Sequence, residues 1–232
     1  MPTIAFFTPC GGGVDYELLL GSIANHAAMG PRVVLDNTPA EKRRFFKNLP
    51  QNVVWVYDDN YKGGSLHTCM FRQALQRALE IARLLGTDLV MHLDCDEFLD
   101  ARAVKDIFPM AVGKAMQNKV ANWGSDGKAH VLPGHSNRIW DARFEVTYPE
   151  NAAWKTHPHY DGNPNRHPMP RWPKDAPVIT IDKVYIHHLH YAVRQKDQYA
   201  FKENPVVELS TEWPPLIKKW HEGGPLPSTY FS

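Results

Sequence analysis

The chain has 232 residues, 43% hydrophobic and 22% charged, which is enough apolar material for one globular domain with a sizeable core and argues against disorder. Its 26 basic and 25 acidic side chains leave a formal net charge of +1, which excludes a grossly basic nucleic-acid coat but permits a local basic groove. Three cysteines, Cys10, Cys69 and Cys95, cannot all pair and follow no metal-ligand spacing, so they read as buried free thiols in a reducing compartment. The apolar run Ile4 to Phe7 lacks the basic flank and the length of a signal-peptide core, and no stretch approaches the roughly 20 apolar residues that cross a bilayer. The expectation is a cytoplasmic protein with no transmembrane segment.

Strand-like and helix-like segments alternate over residues 1–100, the pattern of an α/β sheet with parallel strands and helical crossovers. Thr3 to Thr8 reads as a strand running into Pro9-Cys10-Gly11-Gly12-Gly13, and a helix carrying Tyr16, Leu19, Leu20, Ile23 and Ala27 stops at Gly30-Pro31. Val33 to Leu35 is a second strand. Thr38-Pro39-Ala40-Glu41 has the form of a capping box with proline at the first helical position, which predicts a helix carrying Phe45, Phe46 and Leu49. Asn52 to Tyr57 is a third strand. Gly63-Gly64 opens a long amphipathic helix with Phe71, Leu75, Ala78, Ala82 and Leu85 on one stripe, ended by Gly86. Leu89 to Leu93 is nearly all apolar, as for a strand buried on both faces, and runs into Asp94-Cys95-Asp96-Glu97.

Beyond Asp100 the alternation weakens. One helical stretch is expected around Ala101 to Met116, then polar, aromatic and proline-rich sequence, with a long loop over the active site from Ala153 to Pro177. Val178 to Tyr191 regains strand character, Gln195 to Asn204 has helical character, and a C-terminal extension follows. The organisation is thus one domain in two halves, 1–100 with the alternating α/β order and 101–204 the less regular remainder, followed by 205–232 as an extension.

If the fourth strand persists through Asp96, period-two geometry points Asp94 and Asp96 to one side. Two carboxylates in one small volume need a neutralising cation, and a hard divalent ion with oxygen ligands, Mg or Mn, meets that need while leaving positions for diphosphate oxygens. Along Val184-Tyr185-Ile186-His187-His188-Leu189-His190-Tyr191, alternation places His188 and His190 on one face and His187 on the other. His190, ahead of His188, is the candidate third ligand. A zinc site of all three histidines would require distortion within one strand.

The run Leu93-Asp94-Cys95-Asp96-Glu97-Phe98-Leu99 resembles the LDxDEFL signature of family 2-like and family 92-like glycosyltransferases with the GT-A fold. Asn122-Trp123-Gly124-Ser125-Asp126-Gly127, Trp154-Lys155-Thr156 and His190-Tyr191 through Phe201-Lys202 are similar to later blocks of those families. The resemblance implies a single GT-A domain with a mostly parallel central sheet and flanking helices, and a nucleotide sugar donor, usually a uridine diphosphate (UDP) sugar. It also implies that 1–100 binds the nucleotide sugar and 101–204 completes the acceptor and metal site, with donor-binding roles for Thr8 and Pro9 at the end of the first strand, Asp36 after the second, Asp58 or Asp59 after the third, and Arg72, Asp94 and Lys155 near the diphosphate. Asp96 would be the principal metal contact and Asp94 would share a ribose or metal role. Asp126 is the first candidate to take the proton of the acceptor hydroxyl, and Glu97 the second.

The segment from Trp154 to Lys174 interleaves basic and aromatic side chains, which suits either a glycan or a hydroxylated base of DNA as acceptor. Two other classes stay open. One is a non-catalytic sugar-nucleotide-binding module; the other is a nucleotidyltransferase or phosphohydrolase built on the same acids.

Overall fold

In a computed structural model, residues 1–11, 16–46, 48–59, 69–123, 129–131, 134–148 and 170–189 are described. The first four strands are β1 (Ile4–Cys10), β2 (Arg32–Asp36), β3 (Val53–Tyr57) and β4 (Leu89–His92), joined in the parallel order β3-β2-β1-β4. The same sheet continues through β8 (Ser136–Asp141), β6 (Ala115–Trp123), β9 (Val178–His188) and β5 (Glu97–Leu99), while β7 (Ala129–Val131) pairs with the end of β6. Strand β8 is antiparallel to both β4 and β6, β9 is parallel to β6, and β5 is antiparallel to β9. The fold is therefore mixed α/β, with β1 to β4, β6 and β9 running one way and β5, β7 and β8 the other.

Alternation along the strands divides the core. Ala5, Phe7, Val33, Leu35 and Val90 face the helix α2 (Cys69–Arg83), which buries Ala74, Leu75, Ala78, Leu79 and Ala82 against them. Val34 faces the other way, onto Leu19, Leu20 and Ile23 of α1 (Tyr16–His26). Ile4, Phe6 and Met91 share that side with the short helices α3 (Ala103–Asp106) and α4 (Phe108–Ala111), which contribute Ala103, Phe108 and Ala111. Gly30 lets the chain leave α1 close to β1, because a Cβ there would lie 2.0 Å from the Ile4 carbonyl oxygen.

Three expected elements differ. Among the described residues no α-helix lies between Thr38 and β3; residues Ala40–Lys42 form a single 3₁₀ turn without a side-chain cap. The Thr38 side chain is buried and its hydroxyl lies 3.0 Å from that of Tyr16, so it does not serve as a cap. The helix expected across Ala101 to Met116 is broken into α3 and α4. Pro109, in the first turn of α4, has no N–H to continue α3, and Gly113, at φ 71°, turns the chain into β6. Finally, β4 ends at His92, so Asp94 to Asp96 form a turn rather than strand. Among the described residues, no helix is long and apolar enough to cross a membrane.

Candidate functional site

Strand direction gathers the polar residues. The carboxyl ends of β1 to β4, β6 and β9 and the amino ends of β5 and β8 meet at one edge of the sheet, where open α/β sheets place their ligands. At that edge the acidic turn after β4 is held between two partners. Asp94 Oδ2 accepts from Arg138 at 3.1 Å and Asp94 Oδ1 lies 3.1 Å from His92 Nε2. Asp96 Oδ2 lies 3.2 Å from His188 Nε2, and the other ring nitrogen of His188 is 2.6 Å from Asn122 Oδ1. The Asp96 carbonyl accepts from Leu189 N–H, just past the end of β9, at 3.0 Å.

Leaving the strand at His92 changes what the two acids do. They address different neighbours, Asp94 across to β8 and Asp96 across to β9, instead of pointing together as two residues of one strand would. Among the described residues, no group of three His, Cys, Asp or Glu side chains forms a cation cluster, and His190 lies outside them.

Glu97 braces the turn. Its Oε2 accepts from Asp94 N–H at 2.8 Å and its Oε1 from Arg138 at 2.6 Å, and its side chain is buried. Burial, reinforced by the Asp94 charge and opposed by Arg138, pushes its carboxyl up to about 7. Burial also works against ionisation of Asp94, but Arg138 and His92 outweigh it and hold that carboxyl well below the ordinary range. For His188 burial is again the opposing effect, overcome by Asp96, and the imidazole rises to about 9. The result is a turn that keeps Asp94 anionic with 37% of its side chain exposed, beside a Glu97 whose charge is suppressed.

The other expected site residues fall into two groups. Thr8, Pro9 and Asp36 sit at the expected strand ends, but all three are buried. Thr8 Oγ1 donates to the Leu93 carbonyl at 2.6 Å. Asp36 accepts from Thr38 N–H at 2.9 Å, Tyr16 OH at 3.0 Å and Trp55 Nε1 at 3.3 Å, so its carboxylate organises the ends of β2 and β3. Asp58 is half-buried and its N–H donates to the Asp36 carbonyl at 3.0 Å. Asp126, Lys155 and the side chain of Arg72 lie outside the described residues. His187 is buried, accepts from Trp123 Nε1 at 3.2 Å, and is lowered by burial to about 4. Arg138 was not anticipated by any motif.

No protein-family model matches the chain, and no curated protein matches it. Among solved structures it is similar to the bifunctional IspDF from Campylobacter jejuni, with 13% identity and a TM-score of 0.41, over 78% of this chain and 50% of that one. The chain therefore spans about half the length of that structure. The class defined by fold and site is a mixed α/β protein whose parallel strands end on a charged edge.

Proposed function

We propose that the protein is a glycosyltransferase that binds a nucleotide diphosphate sugar, of UDP type, across the carboxyl ends of β1 to β4 and passes the sugar to a hydroxyl acceptor. The observation that carries this reading is the acidic turn at that edge, with a half-buried Asp94 held anionic by Arg138 and His92 and an Asp96 paired to an imidazole from a strand far along the chain. The LDxDEFL resemblance falls on the same turn.

Asp96 Oδ2 and His188 Nε2, 3.2 Å apart, become a partial donor set for Mn or Mg once the ion displaces the proton they share. Asp96 and His188 would hold the ion, with Asp94 and His190 as further ligands. When bound, the cation supplies charge neutralisation for the departing nucleoside diphosphate. The remaining work belongs to the chain itself. Arg138 keeps Asp94 ionised, Glu97 fixes the Asp94 backbone, and Asn122 orients the His188 ring. Because both Glu97 oxygens are engaged within the fold, Asp126 takes precedence in this reading as the group that accepts the acceptor's proton. The acceptor is a glycan or a hydroxymethylated DNA base.

Titration calorimetry with a panel of nucleotide sugars, with and without Mn, tests the proposal. Mn-dependent binding of a UDP-sugar, weakened at least about tenfold by Asp96→Asn, is expected. Absence of nucleotide-sugar binding with every divalent ion tried overturns it, and pyrophosphate release from a nucleoside triphosphate would point instead to nucleotidyl transfer.

A further inference from the structure

Beneath the acidic turn lies a cation that the proposed reaction does not use. Arg32, the first residue of β2, is only 2% exposed, and among the described residues no carboxylate is within ion-pair reach of it. Burial lowers its pKa to about 10, so the guanidinium is charged at neutral pH. A buried cation without its own counter-ion is costly, and its partners should reveal what it is for.

Those partners are hydroxyls and an imidazole. The guanidinium donates to Thr8 Oγ1 through Nε at 3.1 Å and Nη2 at 2.5 Å, to Ser22 Oγ through Nη1 at 2.8 Å, and also contacts His26 Nε2. Each hydroxyl passes its own proton onward. Thr8 donates to the Leu93 carbonyl at 2.6 Å and Ser22 to the Glu97 carbonyl at 2.5 Å. Leu93 and Glu97 are the residues that bracket Asp94-Cys95-Asp96. On the same face of α1, Asn25 accepts from Leu99 N–H at 2.8 Å and lies 3.0 Å from His26 Nδ1, which extends the support one residue pair further along β5.

We propose that Arg32 is a positioning residue: through the hydroxyls of Thr8 and Ser22 it clamps the two carbonyls between which the acidic turn is strung. A charged donor polarises each hydroxyl and strengthens the bond that hydroxyl gives. The turn thus hangs from two charge-assisted anchors, and its acids are presented on a fixed backbone. The consequence for catalysis rests on the donor-binding role proposed for the turn; the clamp itself does not.

Cys95, in the middle of the turn and partly exposed, is a built-in reporter, and the buried Cys10 is its control. Alkylation by iodoacetamide, followed peptide by peptide, should proceed about tenfold faster at Cys95 in Thr8→Val, Ser22→Ala and Arg32→Met, with Cys10 unchanged. Thr8→Ser, which keeps the hydroxyl, should restore the wild-type rate. Unaltered Cys95 rates in both Thr8→Val and Ser22→Ala overturn the proposal, as does an equal rise at Cys10, which would mark global opening. Adding Mn separates this from the glycosyltransferase reading. If Mn fails to protect Cys95 in the wild type while the variants behave as expected, the cation site is lost and the clamp stands.

Discussion

Arg138 reaches three groups with one guanidinium: His92 Nδ1 at 2.9 Å, Asp94 Oδ2 at 3.1 Å and Glu97 Oε1 at 2.6 Å. Removing it strands Glu97 in a buried position beside an anionic Asp94. Arg138→Met should therefore lower stability by about 3 kcal/mol, measured by denaturant unfolding, because the buried Glu97 and the Asp94 carboxylate lose the donor they share, and Glu97 is left buried with an unmet acceptor. Adding Glu97→Gln should return part of that loss, since the two substitutions act on one network. The acids of this network stand out in the sequence because they follow an apolar run and form a signature. Arg138 does not stand out. It lies 46 positions from His92, in a strand where Ile139 and Trp140 are both buried, so no alternation marks it. Only the antiparallel pairing of Met91 with Ile139 brings it beside the acidic turn.

Element boundaries were legible where backbone chemistry alone decides them and obscure where a side chain has a tertiary partner. Gly86 does lie just past α2, with φ 69°, whereas the capping box at Thr38 fails because that side chain is drawn into the Tyr16 and Asp36 network. Two strands end in the same Asp-Ala-Arg turn, Asp100-Ala101-Arg102 after β5 and Asp141-Ala142-Arg143 closing β8, in which the aspartate accepts from both the backbone and the guanidinium two residues on. At Asp141 the Arg143 side chain, with the Arg143 and Gly113 N–H groups, holds the carboxyl down at about 2. An unfolded aspartate titrates at about 3.9, so the ionised carboxylate stabilises the fold above that pH, and the contribution disappears as the pH falls through 2. Because Arg143 is 77% exposed, its share is screened, and Asp141→Asn should cost about 1 to 2 kcal/mol at pH 7. The gap between variant and wild type in urea unfolding should close between pH 4 and 2. A constant gap across that range would mean that the carboxylate charge is not what stabilises the turn.

At the scale of the molecule, the alternating α/β order of the first hundred residues and the place of the acidic turn were readable because parallel strands buried on both faces leave continuous apolar runs. The second half was not, because β8 and β6 enter the sheet antiparallel to one another and β9 pairs with β6 through two register shifts. Those pairings interleave the halves. Strand β4 bonds to β8, β5 bonds to β9, and each acid of the turn finds its partner beyond residue 120. A site assembled this way exists only when both halves are docked, because the β4–β8 and β5–β9 pairings tie the acidic turn to strands of the second half. Local opening of the edge should consequently cost nearly as much as unfolding the whole. In a denaturant series, protection of Cys10 against alkylation reports the first half, and hydrogen exchange of the β6 and β9 amides reports the second. The two should lose protection at one common midpoint, and loss of β6 and β9 protection well before that of Cys10 would show instead that the parallel half stands alone and the charged edge is assembled upon it.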